Sequence, residues 1–209
     1  MKVIAINGSP HKEGNTYHAI RMVLEELEKE GIETEIITIG NKPIRSCIGC
    51  NRCFKEKGRC HAFPDDGLNE AIEKIYQADG LLLGSPVHYC GISGAMKCFC
   101  DRLFYVASAT DDMLRHKVGA AVTAVRRAGG VPALDILFKY LHYPEMMIAT
   151  STYWPVVYGT LPGEAEQDDE GVDVLHTLGR NMAWMLKMRA EGVAYEPEYQ
   201  KKRRMNFIR

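Results

Sequence analysis

Four cysteines, Cys47, Cys50, Cys53 and Cys60, fall within fourteen residues of this chain. The spacing Cys-x2-Cys-x2-Cys-x6-Cys puts four thiols on one short loop, close enough together to surround a single inorganic centre. Iron–sulfur clusters are held by loops of this kind, one thiolate to each iron. Zinc accepts four thiolates as well, so the count alone leaves the metal open. The intervening Asn51, Arg52, Lys55, Glu56 and Lys57 are polar, which makes the loop a solvated one rather than a core element. Cations nearby lower thiolate pKa values and offset the negative charge of a thiolate-bound centre.

A second stretch with chemistry in it is Gly8-Ser9-Pro10-His11-Lys12-Glu13-Gly14-Asn15-Thr16. Small hydroxyl and amide side chains with exposed backbone N–H groups, at the start of a helix, form an anion site. The stretch is not Gly-x-Gly-x-x-Gly, and it does not end in Gly-Lys-Ser/Thr, so the dinucleotide and nucleoside-triphosphate fingerprints both fail. What remains suits a terminal phosphate monoester such as that of FMN. A plain strand-to-helix turn capped by Asn15 or Thr16 is the simpler alternative.

These residues need a scaffold, and the pattern around them supplies one. Lys2–Ile6 is a buried apolar run that stops at Asn7-Gly8-Ser9-Pro10, a strand meeting a tight turn. Ala19, Ile20, Val23, Leu24 and Leu27 recur at helical spacing between Asn15 and Glu30, and Gly31 ends that helix. Glu33–Ile39 reads as a second strand. Beyond the cysteines, Asp65-Asp66 offer a cap for a helix to about Gln77, and Asp79–Leu83 is a third strand with Gly84-Ser85-Pro86 as its turn. Ser93 caps the next helix; Val118–Val125 and Met146–Ser151 are the last strands, with a helix to about His142 between them and Val172–Lys187 closing the chain. The expected architecture is α/β: a flavodoxin-like doubly wound three-layer sandwich on a five-stranded parallel sheet of order 2-1-3-4-5. Such sheets bind ligands beyond the carboxyl ends of their strands, where the loops after strands one, three and four converge.

Composition sets the outer limits. With 209 residues, 46% of them hydrophobic and 25% charged, the chain has the mass for one α/β domain with a real core. We expect that domain over residues 1–190, the cysteine loop 47–60 inserted in it, and a tail over 191–209. A net charge of −1 argues against nucleic acid or an anionic membrane as bulk partner. The basic run Lys201-Lys202-Arg203-Arg204 reads as a solvated tail. No apolar stretch is long enough to span a bilayer and no signal-type n-region and h-region opens the chain, so a cytoplasmic protein is expected. Thiols stay reduced there, and seven cysteines would not pair off as a disulfide scaffold in any case.

Three motifs carry a resemblance. Gly8-Ser9-Pro10-His11-Lys12-x-Gly14-Asn15-Thr16 resembles the FMN loop of the NAD(P)H-dependent FMN reductase superfamily. Ser85-Pro86-Val87-His88-Tyr89-Cys90-Gly91-Ile92-Ser93-Gly94-x-Met96-Lys97-x-Phe99-x-Asp101-Arg102 is similar to that family's second flavin loop and following helix. The cysteine loop, absent from the plain reductases, resembles the cluster motif of the iron–sulfur flavoproteins. The resemblance implies that Ser9, Gly14, Asn15 and Thr16 hold the FMN phosphate with His11 nearby, where the family commonly has Arg. It implies that Pro86, Val87, His88, Tyr89 and Gly91 pass beside the isoalloxazine ring, and that Thr123, Ala124, Val125, Arg126 and Gly129 close its pyrimidine end, where an Arg would favour the anionic reduced flavin. Cys47, Cys50, Cys53 and Cys60 would hold a [4Fe–4S] cluster.

The expected activity is an FMN-dependent oxidoreductase or electron-transfer flavoprotein relaying electrons between FMN and the cluster. NAD(P)H, ferredoxin or a quinone would be donor or acceptor, and the family implies a homodimer or homotetramer. Two alternatives stand beside it: a cluster-free FMN or quinone reductase, and an electron carrier or thiol sensor without turnover of its own. Among single residues, His88 is a proton donor only if the chemistry needs one. Cys98 and Cys100, two apart on a helix, face different ways and read as small packed hydrophobes. Cys90 also reads as structural, and Tyr153, Trp154 and Tyr158 as core, dimer contact or pocket wall.

Overall fold

The computed structural model describes residues 1–111, 113–192 and 197–199. The basic run at 201–204 lies outside the described residues, as does most of the expected tail.

Strand β1 (Lys2–Asn7) is apolar on both faces, with Val3, Ile4, Ala5 and Ile6 all fully buried. That is how a central strand of a parallel sheet reads. Helix α1 (Asn15–Lys29) follows, and Gly31 turns the chain at φ 74° into β2 (Glu33–Thr38), which pairs parallel to β1. A one-turn helix α2 (Arg52–Lys55) lies inside the cysteine loop and α3 (Leu68–Gln77) follows it. Then come β3 (Gly80–His88), β4 (Gly91–Ile92), α4 (Gly94–Ala109), β5 (Val118–Val125) and α5 (Gly130–His142). The short strands β6 (Met147–Ile148) and β7 (Val156–Tyr158), a 3-10 turn at Glu164–Gln167 and α6 (Asp169–Glu191) complete the described chain.

The central order is β2-β1-β3-β5-β6, with β4 antiparallel to the end of β3 and β7 parallel to β5. Val3, Ala5, Leu82, Ala120 and Val122 face α1 and α6, whereas Ile4, Ile6, Leu81, Leu83 and Ala121 face α3, α4 and α5. The three layers and the parallel doubly wound sheet are as expected. The strand count is not: among the described residues seven strands replace five, and the order 2-1-3-5-6 replaces 2-1-3-4-5.

Both departures have local causes. The expected strand Met146–Ser151 keeps only Met147 and Ile148 on β5, and the chain then leaves the sheet. Thr150 O accepts from Asn181 Nδ2 at 2.7 Å and Ser151 Oγ donates to Val174 O at 2.6 Å, so this polar stretch is tied to α6 instead. The chain returns after Pro155 as β7. The expected turn at Gly84-Ser85-Pro86 is instead continuous strand, in register with Val122, Thr123 and Ala124. β1 ends opposite Gly84, so no β1 neighbour waits for the N–H that Pro86 lacks.

Helix ends were legible in part. Ser93 caps α4, its Oγ accepting from Met96 N at 3.2 Å, and Asp168 caps α6 by accepting from Gly171 N at 3.1 Å. At α3, Gly67 in the left-handed region (φ 79°) takes the cap position, and Asp66 just before it accepts from Leu68 N at 3.3 Å while also meeting a second partner described below. Between α1 and α6, the buried Glu26 is held below the usual carboxylate range, mainly by the Lys29 ammonium at 2.6 Å, with His176 and Arg180 adding to it. A depressed folded-state pKa contributes stability that is present above the ordinary glutamate range, near ~4.3, and is lost as pH falls through the folded value. Glu26→Gln is therefore expected to flatten the acid limb of a stability-versus-pH curve while leaving its neutral plateau lower, by about 1–3 kcal/mol. Urea midpoints measured from neutral pH downward check this.

Candidate functional site

Two cavities matter, one at the carboxyl ends of the strands and one under the cysteine loop. The first has a volume of about 250 Å³. Ser9, His11, Gly14, Asn15 and Thr16 line it from the loop after β1, Pro86, Val87 and His88 from the end of β3, and Ala124 and Arg126 from the end of β5. Ten residues expected from three separated motifs thus share one space.

The loop after β1 is shaped by its own side chains. Asn7 Oδ1 accepts from Ser9 N at 3.0 Å, Ser9 Oγ accepts from His11 N at 3.1 Å, and Tyr17 N donates to Gly14 O at 2.8 Å to start α1. The first N–H groups of α1, at Asn15 and Thr16, have no preceding turn to bond to and point at the cavity end of the helix. The second loop is tied to the first: Ser93 Oγ donates to Gly8 O at 2.7 Å, and Ser93 N donates to Ser85 Oγ at 3.0 Å. Both flavin-type loops are therefore fixed by one serine at the start of α4.

Three further residues, Gly159, Thr160 and Pro162, line the cavity from the segment after β7. This segment is docked by Asn15, whose Oδ1 accepts from Ala165 N at 3.1 Å. A Cβ on Gly159 would stand 2.7 Å from Asn15 Nδ2, so only glycine lets the segment close over that side chain. The run Gly159-Thr160-Leu161-Pro162-Gly163 carried a turn signal but nothing to say which turn it faced. Gly40 is a second residue without a sequence signal. A Cβ there would lie 2.1 Å from the Ser9 carbonyl, because β2's exit runs against the back of the loop. Gly40→Ala is expected to push the loop out of shape, lowering affinity for the FMN that the resemblance assigns to it by about tenfold or more, at a stability cost of ~1–3 kcal/mol. Flavin fluorescence titration and thermal melts check it.

The remaining expected residues sit around this cavity without lining it. Thr123 is fully buried, its Oγ1 donating to Gly130 O at 3.3 Å. Val125 is buried beside it. Gly91 pairs with His88 across the β3–β4 hairpin, and Tyr89 at the hairpin tip is fully exposed. Gly129 (φ 91°) backs onto that tip: a Cβ would meet Cys90 Cα at 2.8 Å. Tyr89 (φ 49°) and Cys90 (φ 59°) both occupy left-handed backbone, which non-glycine residues adopt only where surroundings dictate it. His88 is exposed at the cavity rim. Cys100 is fully buried, which pushes its thiol well above the usual range, in keeping with a packing role.

The second cavity is small and enclosed, and all four expected thiols, Cys47, Cys50, Cys53 and Cys60, line it. Cys53, on α2, and Cys60 are buried; Cys50 is exposed. Burial raises the Cys53 thiol above its ordinary value, and the three neighbouring cysteines add to the effect. Four thiols crowded in this way could act together as thiolate ligands only with positive charge close by. Arg102, only 1% exposed, meets the need from the α4 side: its Nε donates to Cys60 Sγ at 3.3 Å. The same guanidinium donates to both Asp66 oxygens and, at 3.0 Å, to Phe63 O, and it lies 5.3 Å from the Phe63 ring centroid. Asn69 clasps the loop's end, Oδ1 accepting from Cys60 N at 2.8 Å and Nδ2 donating to Cys60 O at 3.0 Å.

Among the described residues, no three His, Cys, Asp or Glu side chains converge as they would on one metal ion. Thiolates bound to separate irons stand further apart than ligands of a single ion. Four thiols around one closed space, with a buried cation on one of them, fit a polynuclear cluster as a donor set. Asp66 and Arg102 were named in the sequence as cap and motif residue, but nothing in their spacing said that they meet.

Comparison with known proteins finds relatives both in sequence and in fold. The model of the NADPH-dependent FMN reductase family matches residues 1–160. An iron–sulfur flavoprotein of Methanocaldococcus jannaschii is 36% identical over 195 residues, covering 90% of this chain and 98% of that protein. One from Archaeoglobus fulgidus is 33% identical over 173 residues, covering 82% and 83%. Of solved structures, RosB with a bound 8-demethyl-8-formylriboflavin-5'-phosphate intermediate superposes at TM-score 0.70 and 18% identity, covering 100% of this chain and 92% of that one. An archaeal flavodoxin superposes at TM-score 0.58 and 17% identity, covering 90% and 99%. These structural likenesses establish the flavodoxin-like fold, and the sequence relatives establish descent: the chain belongs to the NADPH-dependent FMN reductase family and, within it, to the iron–sulfur flavoproteins.

Proposed function

We propose that this chain is a flavin-dependent oxidoreductase that passes electrons between FMN, seated in the cavity of Ser9–Thr16, Pro86–His88 and Arg126, and a [4Fe–4S] cluster on Cys47, Cys50, Cys53 and Cys60. The observation that carries this reading is the pair of cavities built from expected residues and joined by α4, which ties the flavin-type loops through Ser93 and meets Cys60 through Arg102.

FMN accepts electrons in pairs and releases them singly, whereas a cluster carries one at a time. The chain's part is to hold and tune. Ser9, Asn15, Thr16 and the first N–H groups of α1 hold the phosphate, with the helix end supplying partial positive charge. The backbone at Pro86–His88 would pass beside the ring, and Arg126 would supply positive charge at its pyrimidine end. Arg102 offsets thiolate charge at Cys60 and fixes the loop that carries it. NAD(P)H or ferredoxin would serve as donor and a quinone among acceptors. A homodimer or homotetramer would bring a neighbour's cluster toward the flavin. No helix among the described residues is long and apolar enough to cross a membrane, which suits a cytoplasmic protein.

The test is anaerobic purification followed by iron, sulfide and FMN analysis with a visible spectrum, on the wild type and on Cys47→Ser/Cys50→Ser. Wild type should carry FMN and iron, with broad thiolate-to-iron absorption under the flavin bands, and the double variant should retain FMN alone. Wild-type protein with FMN but no iron would overturn the relay and leave a cluster-free reductase.

A further inference from the structure

An apolar cavity of about 380 Å³ belongs to neither site above. It lies between α2, α4 and α5 and is walled by aromatic rings, among them Phe54, Phe104, Tyr105 and Tyr140. Phe54 follows Cys53 directly in α2, and Tyr105 lines both this cavity and the thiol cavity. The two cavities thus share Tyr105 as a common wall residue.

The polar groups restrict what that molecule can be. The Tyr105 hydroxyl donates to Asn51 Oδ1 at 2.6 Å, the Tyr140 hydroxyl donates to Asp101, and the Ser108 hydroxyl donates to Phe104 O at 2.7 Å. These three hydroxyl protons are thus committed, and around them the cavity offers mainly ring faces and ring edges. The ring pairs are already set at angles: Phe54 and Tyr105 edge to face at 5.3 Å, Phe104 and Tyr140 tilted at 5.1 Å. The Lys139 ammonium is the cation among the lining residues. A sugar or a nucleotide phosphate would leave most of its polar groups unpaired here. A flat, electron-poor ring stacks well on electron-rich phenols, and an acceptor oxygen at its edge would meet Lys139.

We infer that this cavity binds a planar quinone, one or two rings in size, as the molecule that exchanges electrons with the cluster. Cavity volume and aromatic lining both fall within the range of small-molecule sites. The electron count closes. Reduction of a quinone to its hydroquinone takes two electrons and two protons, the same number that reduced FMN gives up on returning to FMN, with the protons exchanging through solvent. The inference rests on the relay reading for its purpose, though not for the binding itself.

Duroquinone is a suitable probe because its fully substituted ring cannot add the chain's free thiols. Equilibrium dialysis against oxidised, FMN-loaded protein measures binding without turnover. Wild type should bind one equivalent per chain, and Ser108→Trp, which fills the cavity from α4, should weaken binding by at least about tenfold with FMN content unchanged. If Ser108→Trp fails to retain FMN, Ile136→Phe fills the cavity from α5 and should give the same loss. Absence of saturable binding to wild type overturns the proposal, including the case in which light scattering shows a second copy of the chain covering this face. Binding that neither filling variant weakens overturns it too, by putting the quinone elsewhere. Iron analysis on the same samples keeps the two ideas apart: protein without iron that still binds duroquinone in this cavity loses the relay and keeps the site.

Discussion

Arg102→Leu is expected to cost on the order of 3–5 kcal/mol of stability and to empty the cysteine loop of metal while FMN stays bound. The magnitude is that of removing one partner from a buried ion pair, which leaves Asp66 without its counter-charge. Leucine fills much of the volume, so a cavity is not the main effect. Four other contacts go with the charge: Cys60 Sγ, the Arg45 and Phe63 carbonyls and the face of the Phe63 ring. Arg102→Lys keeps the charge without the planar fork that reaches these partners together, and should recover only part of the loss. Urea unfolding gives the stability, and iron and FMN analyses give the two occupancies. A variant of wild-type stability, or one that loses FMN and iron in equal measure, would show that Arg102 does not serve the loop in particular.

Replacing Asn15 and Thr16 together by alanine should weaken FMN binding by about 10²–10⁴-fold. Two hydrogen bonds to a charged phosphate are worth about 1.5–3 kcal/mol each, and that range converts to the stated factor. Asn15 has a second duty, accepting from Ala165 N, so its loss also frees the segment that brings Gly159 and Thr160 to the cavity. Asn15→Asp separates the two. The carboxylate can still accept from Ala165 N but repels a phosphate, so affinity should fall while the melting temperature holds. Unchanged affinity in the double variant would mean that the phosphate lies elsewhere.

How far these sites could be read from the chain depended on whether their parts are local in sequence. The phosphate-type loop and the cysteine loop are each continuous, so spacing alone exposed them. The sheet's core strands were equally plain, because strands buried on both faces such as β1 and β5 read as unbroken apolar runs. The edge was not: β6 and β7 hold five paired residues between them, and the polar stretch dividing them answers to α6, a partner remote in sequence. The same holds for single residues. Gly40 and Gly159 matter through backbone approaches that no neighbouring residue betrays. Asp66 reads as a helix cap from its local context and does accept from Leu68 N at the start of α3, but nothing nearby told of the buried arginine thirty-six positions on that it also pairs with.

Helix α4 has one more consequence. Ser93 at its start grips both loops of the first cavity, and Arg102, Tyr105 and Val106 on one of its faces close the second. Nine residues separate Ser93 from Arg102, an axial span of about 14 Å. The helix is thus a ruler with a phase as well as a length. Inserting or deleting a single residue between those positions would shift the distance only slightly, yet it would swing the thiol-facing side chains by about 100° and aim them away from the cysteines. The two centres are coupled by angle more tightly than by distance.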